Sequence, residues 1–573
     1  MRQKIIATTA TDSYQQSNQL FDSLIEPLSS PGFIGGLALF VLLLILSTFT
    51  QKKPELADGR FANSSEIRKA RRKGLRQIAK GKPNKVATHL DHIVLPDLQP
   101  AIAIVGRSRA GKTRSMIDPG IKSGIDQGWT MAVFDVKGNL MKKHLPYAHR
   151  KGYDCYVFAP GFDYSDGLNI LDFMESSADA KKGHEIANVL NLNFQEPGSK
   201  PDSFFSPQGV ALLKTVFMLA KECPFPDLLS AWKILSLENL AGRLAAAHKS
   251  KAFEGELSSW IGEAAVALRS VSKADETAVG IVGTAVTHFQ TLVDRSIIPC
   301  LLKSSIPLDL KGKQIVFFQI DEQSEAATSP LVAAAIHMLI KRNLNAFVKR
   351  KNTFGLYLDE FTSIRLPDIE SWINRFAEYG FSAWLGYQSN SQLRLRYSRE
   401  YAESILSSCG TKAVFNTGHP ETAEKFSSAL GTKEVWYKNE SRSYGKNGSR
   451  SVTDHMQKIP LISGPAINRF EQGECVILNP GLDYRPYRLK VPIKKKNDEL
   501  WSKCEHQWDT QIKSVLAKQA ELRLDLPGPL ESDTAEENLN NFLELQLSDR
   551  GFLAEAMLPT AEELQALAEY QNN

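Results

Sequence analysis

Residues 101 to 113 read AIAIVGRSRAGKT, and no other stretch narrows the choice of fold as far. A β-like apolar run ends at Gly106, and Gly111, Lys112 and Thr113 follow at the spacing G-x-x-x-x-G-K-T of a phosphate-binding loop. The two glycines let the backbone wrap closely round a polyphosphate, so that loop N–H groups face negative charge. The cradle is then Gly106, Arg107, Ser108, Arg109, Ala110, Gly111, Lys112 and Thr113. Lys112 reaches the β/γ-phosphates and the Thr113 hydroxyl takes a place on Mg²⁺. Ser115, Met116 and Ile117 can continue the loop as a helix, the context the motif demands. The cofactors expected are therefore ATP and Mg²⁺.

A second apolar run, FGLYL at residues 354–358, ends in Asp359 and Glu360. Alone, a strand ending in two carboxylates is a common solvated strand end. After a phosphate-binding loop in a parallel-strand pattern it reads as the hydrolytic half of the same site, with Asp359 on the metal and Glu360 polarising the attacking water. One strand later, Gln388 follows the run 381–386, where it can contact the γ-phosphate.

At 573 residues the chain is long enough for two or three domains. Charge is uneven: residues 58–85 carry ten Lys or Arg against two acids, and 519–573 carry twelve acids against two Arg. The middle is close to neutral, so net charge names no partner for it. The six cysteines are far apart with no CxxC pair, which argues against a disulfide framework or a zinc site.

No charged residue lies between Glu26 and Lys52, and the most apolar part, residues 33–49, is near the short end of what spans a bilayer. Acids at positions 12, 22 and 26 and the lack of an A-x-A site argue for a retained anchor over a cleaved signal. The basic run that follows, including Arg60, Arg68, Lys69, Arg71 and Arg72, puts the long C-terminal part on the cytoplasmic side and supplies headgroup contacts. The expectation is a single-pass membrane anchor with a cytoplasmic body.

From residue 100 the pattern is α/β. Strands are expected at 131–136, 153–158, 314–320, 354–358, 381–386 and 411–415, with a helix over 330–349. Helical patterns dominate 183–299, including 209–214 and 238–248. A hairpin is expected across 434–455 around the turn 444–448, and edge strands at 475–478 and 487–491.

With these residues in hand, the chain resembles the coupling-protein ATPases of type IV secretion and conjugation systems over about residues 59–493. Gly59-Arg60-Phe61-Ala62 with Glu66-Ile67 resembles the family's membrane-proximal motif, and Asp135-Val136-Lys137-Gly138 a D-P-K-G-type turn with Val136 in place of Pro. Residues 165–171 resemble the segment after the third strand. Asp359-Glu360-Phe361, Tyr379-Gly380-Phe381, Gln388-Ser389-Asn390-Ser391-Gln392-Leu393, Glu421-Thr422-Ala423 and Leu430-Gly431 follow the family's signature block.

The resemblance implies a RecA-like P-loop motor domain (α/β, residues 96–182 and 300–495) with an inserted all-α domain (183–299). A transmembrane segment (1–53, helix about 31–50) and a basic membrane-proximal segment (54–95) come before it, and an acidic tail (496–573) after. It also implies a homo-hexamer that couples ATP hydrolysis to translocation of DNA, single- or double-stranded and without sequence preference. Relaxase or relaxosome proteins, type IV secretion channel components and the membrane are the implied partners. Family members usually have two membrane crossings and an Arg just before the Y-G pair. This chain shows one convincing crossing, and Glu378 stands where the Arg would, with Arg375 one turn earlier as the candidate that reaches a neighbour's nucleotide.

Two other readings compete: a septal-type chromosome or plasmid translocase, and a membrane scaffold whose nucleotide site only holds it folded. The 388–393 block and the membrane-proximal motif favour the coupling protein over the first. The water-activating carboxylate disfavours the second.

Overall fold

The structure is a computed structural model, and it describes residues 59–91, 93–198, 205–222, 226–237, 240, 244, 258–266, 275–442, 450–491 and 495–523. The expected anchor, most of the 238–248 helix, the 444–448 turn and the acidic stretch beyond 523 lie outside the described residues. Among the described residues no helix is long and apolar enough to cross a membrane. The chain divides into two compact units, residues 60–430 with 462–573 and residues 1–59 with 431–461.

The larger unit is built on a nine-stranded sheet. In chain order its strands are β3 (Ala101–Val105), β4 (Thr130–Asp135), β5 (Asp154–Phe158), β6 (Gln314–Phe318), β7 (Phe354–Asp359), β8 (Phe381–Tyr387), β9 (Thr411–Val414), β12 (Glu474–Leu478) and β13 (Tyr487–Lys490). They lie in the order β13-β12-β9-β3-β8-β7-β4-β6-β5. From β9 to β5 all neighbours are parallel, while β12 and β13 add antiparallel at one edge. A short antiparallel pair precedes the sheet, β1 (Thr88–Leu90) with β2 (Ile93–Leu95), which the sequence pattern did not reveal.

Alternation along β3 assigns its residues to two cores. Ala101, Ala103 and Val105 join one apolar cluster, and Ile102 and Ile104 the other, so the strand is buried on both faces. The first face is covered by the helices Ala180–Phe194, Phe205–Glu222 and Glu325–Asn343. The second is covered by Asp118–Asp126 and Asn139–Arg150, and by Lys495–Gln507 through Trp501 and Cys504. Among the described residues the regular elements between β5 and β6 are all helices, and most of their buried apolar residues belong to the same cluster as the core of the first face. The helix expected at 330–349 begins earlier, at Glu325, and ends at Asn343.

Two segments differ from their sequence reading. Residues 496–523, counted with the acidic tail, lie largely in the helices Lys495–Gln507 and Lys513–Arg523. Their anchors are aromatic: the Trp501 ring meets His144 edge-on at 4.8 Å, and Trp508 meets Tyr164 at 5.4 Å. The charge signal of the tail obscured these apolar positions. The basic run is a helix, Ser64–Lys80, opened by a capping box in which Asn63 Oδ1 accepts the Glu66 N–H at 3.0 Å and Glu66 Oε2 accepts the Asn63 N–H at 2.8 Å. Its buried side is made of small residues, Ala70 and Gly74, and a Cβ at Gly74 would lie 2.6 Å from Val94 Cγ1. The basic side chains at 68, 69, 71, 72, 73 and 76 are left exposed.

In the smaller unit, β10 (Thr432–Arg442) and β11 (Arg450–Pro460) form a two-stranded antiparallel ribbon, longer at both ends than the hairpin expected from sequence.

Candidate functional site

The strand order β3-β8-β7-β4 brings four strand ends together at one edge of the sheet. Val105 lies beside Tyr387, and Asp135 lies beside Asp359. The loop after β3, Gln388 after β8, Asp359 and Glu360 at the end of β7, and Asp135 at the end of β4 therefore share the carboxyl edge, where open α/β sheets bind ligands.

The loop is held by backbone contacts. Gly106 N–H donates to Tyr387 O at 3.2 Å, Arg107 N–H to Asn416 O at 2.7 Å, and Gly473 N–H to Ala110 O at 2.9 Å. A Cβ at Gly106 would sit 2.7 Å from Phe415 Cβ, and one at Gly111, whose φ is 103°, would sit 2.7 Å from Gly473 N. Both glycines are thus set by close backbone approach as well as by the ligand they are read to cradle. Arg109 takes a left-handed φ of 62°. Arg107, Ser108 and Arg109 form an exposed rim, and Ala110 is buried beneath it.

Lys112 is 7% exposed, and its Nζ donates to Gly106 O at 2.6 Å and to Arg107 O at 3.4 Å. Burial lowers its pKa below the usual lysine value, against the pull of the Asp359 and Glu360 charges. Thr113 Oγ1 donates to Asp359 Oδ2 at 2.7 Å. Burial raises the Asp359 carboxyl above the usual range, while the Thr113 hydrogen bond and the Lys112 charge oppose the rise. Glu360 is half-buried and has φ 64°, a left-handed conformation that a non-glycine residue rarely adopts. Its charge acts on Lys112, Asp359 and Asp135.

Asp135, read from sequence as part of a turn, is a further carboxylate of this cluster. Burial pushes its pKa up to about 7, and the charges of Asp359 and Glu360 add to the rise. Its oxygens accept the Leu140 N–H at 2.5 Å and the Lys137 N–H at 3.2 Å. Gly138 completes the turn with φ 69°, and a Cβ there would meet Gln319 Oε1 at 2.8 Å. The signal was a strand ending in Asp before a glycine turn. Asn416 and Gly473, which hold the loop through backbone atoms, left none.

Gln388 is half-buried at its strand end, between the loop and Asp359 in strand order. Arg375 is elsewhere. It is exposed on the helix Ile369–Phe376, which leads to the start of β8, and Gly380 O there accepts the Phe354 N–H at 2.8 Å. That is the opposite edge of the sheet from Lys112, so within one chain Arg375 does not join the cluster.

Behind the loop, Asp118 on the following helix is almost wholly buried. His144 Nε2 lies 2.7 Å from its Oδ1 and Lys143 Nζ 3.3 Å from its Oδ2. Burial would raise the Asp118 carboxyl, but these two partners hold it below its ordinary value.

Among the described residues no group of three or more His, Cys, Asp or Glu is placed to hold a metal on protein ligands alone. A hydroxyl and a carboxylate oxygen 2.7 Å apart, Thr113 Oγ1 and Asp359 Oδ2, are hard donors that suit Mg²⁺ completed by phosphate and water oxygens. The residues present therefore fit a Mg²⁺-nucleotide.

Comparison with known proteins gives three kinds of likeness. The family described as "TraM recognition site of TraD and TraG" matches residues 353–472. The coupling protein TraD of Escherichia coli K12 is 24% identical over 184 residues, which is 31% of this chain and 25% of TraD; the match thus spans a quarter of that relative. The bacterial conjugative coupling protein TrwB, lacking its first 70 residues and in complex with sulphate, superposes with a TM-score of 0.53 at 16% identity over 74% of this chain and 93% of its own. TrwB in complex with ADP and Mg²⁺ superposes with a TM-score of 0.52 at 15% identity, over 77% of this chain and 96% of its own. The sheet with its covering helices has the fold of TrwB. Fold, family match and curated match agree, and the chain is a relative of the coupling proteins of conjugation and type IV secretion systems.

Proposed function

We propose that this chain is an ATPase that recruits transfer DNA or a DNA–protein substrate and drives it to a type IV secretion channel. The observation that carries the reading is the hydrogen bond from Thr113 to Asp359, which joins the phosphate-binding loop to the strand bearing Asp359 and Glu360. In this reading Gly106 to Thr113 cradle the phosphates and Lys112 neutralises the β/γ-oxygens. Thr113 and Asp359 would hold Mg²⁺, which would supply charge neutralisation on the phosphates. Glu360 takes a proton from the attacking water, and Gln388 contacts the γ-phosphate. Arg375 is assigned to a neighbouring subunit's site, which requires a ring, and a homo-hexamer is the assembly we assign. Residues 183–299 are read as an inserted helical module of that ring.

The membrane part of the reading rests on sequence: a single-pass inner-membrane anchor at about residues 31–50, with the body cytoplasmic and the basic helix Ser64–Lys80 beside it. Partners follow from the relatives. TraD and TrwB are named as coupling proteins and the matched family as a TraM recognition site, so we assign relaxosome proteins and DNA as partners. Contacts to DNA through exposed Lys and Arg would be phosphate contacts and salt-dependent.

The test is ATP turnover by the full chain in lipid nanodiscs, with and without single-stranded DNA. Turnover that rises with DNA and falls as salt is raised is the result expected. Nucleotide binding without turnover under any condition would overturn the motor in favour of the scaffold.

A further inference from the structure

Gly59 and the β10–β11 ribbon are tied backbone to backbone. The Gly59 N–H donates to Thr432 O at 3.0 Å, and a Cβ at position 59 would lie 2.0 Å from that oxygen, so glycine is required for the chain to pass there. Leu461 N–H closes the base of the ribbon on Gly431 O at 2.9 Å. Gly59 lies nine residues beyond the end of the candidate span at residue 50. At about 3.3 to 3.6 Å per residue, nine residues reach no more than about 30 Å. The base of the ribbon is therefore tethered within about 30 Å of wherever that span ends. Eleven residues to a strand give the ribbon a length of about 36 Å.

Among the described residues the ribbon pairs with no other strand. Near its base it exposes a set of large side chains: Trp436 is 54%, Tyr437 45% and Met456 36% exposed. Trp436 stands directly across from Met456, and Tyr437 across from His455. Adjacent residues point to opposite faces, so Trp436 and Tyr437 make both faces amphipathic. Lys433 and Lys458 are exposed beside them, and the two strands together carry five Lys or Arg against three acids. Aromatic rings with an apolar body and a polar tip, set among lysines, are the composition that partitions to the headgroup level of an anionic bilayer.

We propose that the β10–β11 ribbon is a membrane-surface contact: Trp436, Tyr437 and Met456 enter the headgroup region beside the anchor, and Lys433 and Lys458 meet anionic lipid phosphates. This rests on the single-pass reading given above. The same side chains would stack on the bases of single-stranded nucleic acid. The tether at Gly59 favours the bilayer, because it keeps the ribbon near the membrane whatever substrate is present.

Hydrogen exchange on the full chain tests this. Backbone exchange in 432–442 and 450–460 is compared in detergent micelles, in phosphatidylcholine vesicles and in vesicles containing phosphatidylglycerol. Expected is slowed exchange in the anionic vesicles, less in phosphatidylcholine alone. The slowing should be lost in the triple variant Trp436→Ala, Tyr437→Ala, Met456→Ala and kept in the double variant Trp436→Phe, Tyr437→Phe. The double variant guards against a ribbon that has merely unfolded. Equal exchange in micelles and vesicles overturns the proposal, as does slowing by an added oligonucleotide but not by lipid. Release of the whole chain from vesicles by an alkaline wash overturns the anchor itself, a separate readout from the exchange pattern, and the inference falls with it.

Discussion

Thr113 and Asp359 are 246 residues apart in the chain and 2.7 Å apart in the fold, the hydroxyl donating to the carboxylate. The separation is bridged by strand order: β8 lies between β3 and β7, and all three run the same way. The loop and the carboxylate strand are thus parts of one rigid sheet edge, and a ligand between them meets groups already in place.

Lys112 is the simplest point of attack. Its ammonium is held by the Gly106 and Arg107 carbonyls at the mouth of the loop. Replacing it with Ala removes one charged hydrogen-bonding group, worth roughly 1.5 to 3 kcal/mol, so affinity for a non-hydrolysable ATP analogue should fall roughly ten- to hundredfold. Equilibrium binding checks this, and unchanged affinity would refute the site.

Asp135 makes stability depend on pH. Its carboxyl titrates near 7 in the fold and near 3.8 in the unfolded chain, so between these values the folded state holds a proton that the unfolded state has lost. Stability should therefore fall as pH rises from about 4 to about 7, by up to about 4 kcal/mol from this group, and change little from it above that. Asp359, raised in the same direction, adds to the slope. Thermal midpoints measured across pH 4.5 to 8 should show a shallower decline for Asp135→Asn than for the parent. Parallel curves would remove Asp135 as the source.

The loop after β3 was legible as a candidate phosphate cradle because its residues recur at a fixed spacing. So were the central strands: they are buried on both faces and read as unbroken apolar runs. What the sequence did not reveal is held together by backbone atoms or by long-range packing. Asn416 and Gly473 grip the loop through main-chain bonds, for which residue type leaves no trace. Trp501 and Trp508 lie in a stretch dominated by charge, and their burial depends on His144, Tyr147 and Tyr164, hundreds of residues earlier. The buried Asp118–His144 pair joins two helices whose facing sides no local pattern predicts. Arg375 was chosen for its place before the Y-G pair, and only the topology shows that this place is at the far edge of the sheet.

His144 should matter for the loop without touching a ligand. It is fully buried and is the nearer partner of Asp118, on the helix that continues the loop. His144→Ala leaves that carboxylate with Lys143 alone at 3.3 Å, and the loss of one partner of a buried pair costs about 3 kcal/mol. A lowered thermal midpoint is expected, and adding Asp118→Asn to His144→Ala should recover part of it, because the unpaired charge is then gone. Strictly additive losses would show that the His144 effect is packing against Trp501 and not its contact with Asp118.

The two carboxylates at the end of β7 should separate binding from turnover. Asp359 is buried and bonded to Thr113, and the proposed function assigns it to the metal. Asp359→Asn should therefore weaken Mg²⁺-dependent nucleotide binding together with hydrolysis. Glu360 follows Asp359 at the end of the strand with a left-handed φ of 64°. Glu360→Gln keeps shape and reach but removes basicity. It should bind Mg²⁺-ATP about as well as the parent and hydrolyse it more slowly by roughly two to four orders of magnitude. An Asp359→Asn variant that binds normally beside a Glu360→Gln variant that does not would reverse the roles. Parental turnover by Glu360→Gln would leave Asp135, the other carboxylate at this edge, as the next candidate for the base. Its pKa near 7 would suit that task, and Asp135→Asn would then lose turnover where Glu360→Gln had not.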